Sequence, residues 1–234
     1  MDLNVFWQEL HSRISKYDLL CHPFYQAWSN GHLTREDLRE YAAGYYHHVA
    51  AFPTYLGALY SRLDEGELRR AVAQNLADEE GLDGNPKGRA HAEMWLDFAE
   101  GMGASRSDVR NNGPVEEVAG LVAHFRRVAR ESSSAEALAA FYAYESQVPR
   151  VAKEKARGLR EMYGADQKTC GYFILHITAD VFHSNVWREQ LSKLVEGDAE
   201  EQERALIAAE NAARSLWRAL DGVERERTQR KNAA

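Results

Sequence analysis

Apolar residues recur at helical spacing along almost the whole chain, and alternating stretches that would read as strands are missing. Phe6, Leu10 and Ile14 form an i, i+4, i+8 stripe that predicts a first helix. The segment HPFYQAWSNGHLTRED then predicts a turn, and Thr34 is placed to cap a second helix beginning at Arg35. Leu38, Tyr41, Tyr45, His48 and Phe52 share one side of that helix, and Pro53 predicts a kink in it. Further helices are predicted near 67–80 and 89–100, separated by the turn-forming run GLDGNPKG. Asn111-Asn112-Gly113-Pro114 opens the next one. Ser133-x-x-Glu136 is a capping box for a helix that runs to Gly164 with a kink at Pro149. Two more helices cover about 168–195 and 199–222. The expectation is an all-α, single-domain bundle of seven or eight helices over residues 1–223, followed by a flexible tail over 224–234.

Composition narrows the function. The 234 residues are 44% hydrophobic and 28% charged, enough to bury one large core. A net charge of −7 argues against a general nucleic-acid binder, which needs a basic field. No stretch approaches the roughly 18 apolar residues of a membrane span, and the start MDLNVFWQELHSR does not look like a signal peptide. Two cysteines, Cys21 and Cys170, are too few for a disulfide framework or a thiolate zinc site. The chain reads as cytoplasmic.

The chemistry concentrates in YFILHITADVFHSNVW. His176, Asp180 and His183 stand at i, i+4, i+7, so all three project from one helical face among apolar neighbours. Three such groups facing inward are costly unless they bind something. Glu145 lies between Phe141, Tyr142, Tyr144 and Val148 and also faces inward, where Pro149 removes the helical bond to its carbonyl. The triplet Asp78-Glu79-Glu80 ends one helix and His91 begins another. Together these supply six ligands, a carboxylate-rich set with imidazole that suits iron or manganese better than zinc. His22, His47 and His48 read as ordinary buried or turn residues, and Cys170 as a small core residue.

Quoted together, these segments resemble a known family. HPFYQAWSNGHLTREDLREYAAGYYHHVAAFPTYLGALYSRL, NLADEE, HAEMWLDFAEGMG, YAYESQVPRVAKEKARGL and HITADVFHSNVW are similar to the chlamydial death-domain-associating protein and its bacterial relatives. The likeness runs over nearly the whole chain, and its N-terminal part is shared more loosely with the pyrroloquinoline-quinone synthesis protein PqqC and the TenA thiaminases. What the resemblance implies is a haem-oxygenase-like fold that binds no haem and holds two metal ions, iron with iron or iron with manganese. Glu79, His91, Glu145, His176, Asp180 and His183 match its ligands, with Glu80 as the neighbouring alternative to Glu79 because the connection to His91 is longer here. The implied activity uses dioxygen and an external reductant to make 4-aminobenzoate, the folate precursor. The ring would come from a tyrosine of the protein itself, matched by Tyr25 with Tyr41 as second candidate, and the amino group from Lys155. The resemblance further implies a homodimer. The alternatives are a dimetal oxidase acting on an external small molecule and a metal-free enzyme of the PqqC or TenA kind. No sequence feature shows a death-domain-binding surface.

Overall fold

The computed structural model describes residues 1–82, 84 and 88–233. Among them there are eleven α-helices and no strand. They are α1 (Leu3–Ser15), α2 (Pro23–Ser29), α3 (Arg35–Tyr60), α4 (Glu67–Glu79), α5 (His91–Gly101), α6 (Arg106–Asn111), α7 (Glu116–Glu131), α8 (Ser134–Glu145), α9 (Val148–Met162), α10 (Gln167–Val195) and α11 (Ala199–Ala233). The expected seven or eight becomes eleven for identifiable local reasons. The turn expected after α1 contains the short helix α2, opened by Pro23 and capped by the His22 ring, which accepts from the Phe24 amide. A second short helix, α6, is capped by Ser105. The kinked helix expected between 133 and 164 is two helices, because Pro149 stands in the first turn of α9 rather than inside a continuous helix.

The end of the chain also differs from expectation. The segment expected as a flexible tail, 224–234, continues α11 as helix to Ala233. Arg227 pairs with Glu224 one turn back, and Arg225 grips the Glu117 carboxylate of α7 with both guanidinium ends. Part of the GLDGNPKG run, residues 83 and 85–87, lies outside the described residues.

α8 is the axis of the molecule. Its sequence SAEALAAFYAYE is buried on every side, so it has no solvent face to declare. Its alanines let α10 and α11 approach closely on either flank. α3 packs on α4, α5 and α7, and α10 packs on α5, α8 and α9, which closes the bundle around the C-terminal end of α8. Ser133 and Glu136 form the expected capping box, as do Thr34 and Asp37 at the start of α3. α3 continues through Pro53. Among the described residues, no helix is long and apolar enough to cross a membrane.

Candidate metal centre and lysine–tyrosine cluster

Four helix segments deliver their polar side chains to one buried point. The last turn of α4 presents Asn75 and Glu79, four residues apart and therefore on one face, while Glu80 is exposed at the helix end. The first residue of α5 is His91, and the last of α8 is Glu145. The middle of α10 supplies His176, Asp180 and His183. All six of Glu79, His91, Glu145, His176, Asp180 and His183 are buried.

Two groups of ligand atoms form there. Glu79, His91 and His176 bring one atom each within 4.8 Å of one another, and so do Glu79, Glu145 and His183. Glu79 belongs to both. Asp180 adjoins the second group, with its Oδ1 3.4 Å from His183 Nδ1. A narrow cavity bounded by Glu79, Glu145, His176 and Asp180 lies between them, walled by Tyr144 and Tyr172.

The imidazoles are aimed as ligands are. His176 Nδ1 donates to the Tyr172 carbonyl at 2.7 Å, so its Nε2 keeps the free lone pair. His183 Nε2 donates to Asp78 at 2.7 Å, which leaves Nδ1 turned inward. That Nδ1 is buried without a hydrogen bond although Glu145 lies 3.6 Å away. His91 Nδ1 is 2.9 Å from Glu79 Oε2 and likewise makes no hydrogen bond there. Buried nitrogens close to carboxylates yet not bonded to them fit a cation that both would face. Glu145 is itself oriented, since Asn75 donates to its Oε1 at 3.2 Å and Trp187 Nε1 donates to its Oε2.

Electrostatics shows the same demand for positive charge. Burial opposes a charged His183, but Asp180, Asp78 and Glu145 outweigh it and push its pKa up to about 12. Burial, with the negative neighbours Glu145 and Glu79, lifts Asp180 to about 7. Burial and the neighbouring His91 hold His176 down to about 3, so it is neutral and able to ligate. A site that stores protons among buried carboxylates is one in which metal ions would replace them.

A second polar cluster lies behind the first. Lys155 of α9 is buried, and its Nζ donates to the hydroxyls of Tyr25 at 2.7 Å and Tyr41 at 2.6 Å. The two phenols are 2.9 Å apart. Burial alone drives the Lys155 pKa well below its ordinary value, which favours the neutral amine. Burial likewise raises both tyrosines and keeps them as phenols. Trp28 forms part of the box and can lie against α9 because residue 158 is glycine, where a Cβ would stand 2.8 Å from Trp28 Cδ1. Tyr144 and Tyr172, which wall the metal cavity, also line the space around Lys155 and Tyr25. The two clusters therefore share a wall.

All nine residues singled out in the sequence thus fall into these two adjoining clusters. Reading the sequence named Asp78 only as part of the acidic triplet and missed Asn75 and Trp187, and all three orient the others. Asn75 stands four residues before Glu79 and Trp187 four after His183, so helical spacing from the ligand candidates could have found both. His48 is buried without a hydrogen bond, His47 reaches the Asn112 carbonyl, and Cys170 is buried in the core.

Known proteins resemble this chain along most of its length. The 4-aminobenzoate synthase of Chlamydia pneumoniae is 38% identical over 92% of this chain and 93% of its own. That of Nitrosomonas europaea is 37% identical over 95% of this chain and 92% of its own. A solved structure from Shewanella denitrificans with a heme oxygenase-like fold covers 100% of this chain and 97% of its own, with a TM-score of 0.81 at 18% identity. That likeness shows the fold, and the family model for iron-containing redox enzymes matches residues 39–217. With its buried carboxylates and imidazoles on a haem-oxygenase-like bundle, the chain belongs to the iron-containing redox enzyme family.

Proposed function

We propose that the chain is a dimetal, oxygen-activating oxidase that makes 4-aminobenzoate, taking the ring from its own Tyr25 and the amino group from Lys155. The 4-aminobenzoate synthases it resembles along nearly their full length support the product. The observation that carries the self-substrate reading is Lys155 Nζ, bonded to both phenols within 2.7 Å in a buried box. An amine kept neutral beside a phenol is a nucleophile already in place, with its approach set before reaction begins.

In this reading Glu79, His91 and His176 would hold one ion and Glu79, Glu145 and His183, with Asp180 beside them, would hold the other. Iron with iron or iron with manganese suits such donors, and the bound pair would supply the binding and reduction of dioxygen with electrons from an external reductant. The chain's own residues do the rest. Tyr144 and Tyr172 wall the space between the clusters against water, and the rings of Trp28 and Tyr41 surround the Lys155 amine beside Tyr25. Asp78 orients His183 through Nε2, so Asp78→Ala should weaken metal binding by about 10- to 100-fold while Asp78→Asn, which keeps an acceptor, loses less. Metal titration monitored by thermal unfolding measures both.

Complementation of a 4-aminobenzoate auxotroph tests the function as a whole. Wild type should restore growth, and Tyr25→Phe, Lys155→Ala and His183→Ala should not. Growth with all three variants would sink the proposal, and failure of His183→Ala alone would point to an external substrate.

A further inference from the structure

A second cleft, of about 390 Å³, lies between α7 and α11, and none of its residues lines the metal or lysine cavities. From α7 it takes Glu117, Gly120, His124 and Arg127, and from α11 Asn211, Arg214, Ser215 and Arg218. In a chain of net charge −7, three arginines converge here. Among the described residues, none of the three has a carboxylate within ion-pair distance. The cleft's one carboxylate, Glu117, is held by Arg225.

Its donors also lack acceptors. Arg127 Nη2 donates to His124 Nδ1 at 3.4 Å, so the neutral ring carries its proton on Nε2. Burial and the nearby Arg127 hold that ring neutral, with a pKa of about 4. Nε2 is buried and makes no hydrogen bond, and neither does Arg214 Nε. Arg214 is steadied by its Nη2 bond to Asn211 Oδ1 at 3.1 Å. Gly120 lines the cleft at an exposed position, where among the described residues a Cβ would meet no atom within 4 Å.

Three guanidinium groups that line one cleft without a carboxylate partner call for an anionic ligand. We propose that this cleft binds the phosphate group of a small soluble molecule, with the guanidinium groups of Arg127, Arg214 and Arg218 matching its charge and donating to its oxygens. Planar guanidinium groups fit phosphate oxygens in pairs. The cleft is several times larger than a phosphate, so it has room for an ester as well as for the bare ion. The inference does not depend on the metal reading.

Calorimetric titration of the purified full-length protein with inorganic phosphate at low ionic strength tests it. A saturable one-to-one isotherm is expected. It should weaken at least about tenfold in the exposed pair Arg127→Gln/Arg218→Gln and vanish in Gly120→Leu, with thermal unfolding of each variant checking the fold. Equal binding by wild type and variants, or heat that never saturates, would overturn the proposal. So would a change from dimer to monomer in the arginine variants, which would give the arginines to a contact between copies. Variant-sensitive binding to phosphatidic acid vesicles without heat from phosphate would assign a lipid headgroup instead and equally overturn it.

Discussion

Glu79→Ala is expected to strip the protein of both metals and abolish 4-aminobenzoate formation, whereas His91→Ala should empty one position and leave the other occupied. The reason is topological. Glu79 is the one side chain with an atom in both candidate ligand groups, so its removal takes a negative donor from each. His91 contributes to the group with His176 alone, and the group of Glu145 and His183 stays complete. Removing a group that only orients a ligand already costs about 10- to 100-fold in metal affinity, and a shared charged ligand costs more. Metal content after purification, measured per chain for both variants, checks this directly. The fold should survive, because the alanine side chain at the end of α4 gives up no apolar packing and reduces the crowding of carboxylates. A Glu79→Ala protein that keeps one full equivalent of metal would end the reading of Glu79 as a ligand shared by both groups. Equal loss from both variants would end the division into two positions.

How much of this was readable beforehand depended on whether the signal was local. His176, Asp180 and His183 were legible because one helix sets their spacing and no other element is needed to align them. Glu79 and Glu80 were not separable, since the end of a helix gives no further period to decide which carboxylate turns inward. The structure decides it through packing, with Val72, Asn75 and Glu79 on the buried face of α4. Pro149 was misread because a proline in a first turn and a proline at a kink share one local signature, and only the break at Ser146–Gln147 tells them apart. The charged end of α11 was misread for the opposite reason. Its order comes from partners distant in sequence, Glu117 on α7 for Arg225 and Asp37 on α3 for Arg230. The lysine is the instructive case. At the rise of a continuous helix, the ten residues from Glu145 to Lys155 would set them about 15 Å apart, too far for one shared site. In the fold Lys155 meets Tyr25 and Tyr41 instead, and two tyrosine side chains join that box to the metal cavity.

That placement gives the second large effect, a product whose atoms come from the protein. Protein prepared with heavy-nitrogen lysine, reconstituted with metal and exposed to reductant and oxygen, should release 4-aminobenzoate carrying the heavy label. The amount should not exceed one per chain. Peptide mass analysis should then find the losses at Tyr25 and Lys155 and nowhere else. Lys155→Arg should yield no product, because the guanidinium stays charged and its planar fork cannot take the place of an amine between the two phenols. Tyr25→Phe should yield none either, while Tyr41→Phe discriminates between the two rings. If Tyr41 only holds the lysine, its loss removes one of the two hydrogen bonds at Nζ and lowers the yield without altering the labelled product. Unlabelled product, formed repeatedly by protein of unchanged mass, would transfer the substrate role to an external molecule and leave Lys155 as a binding residue in the same box.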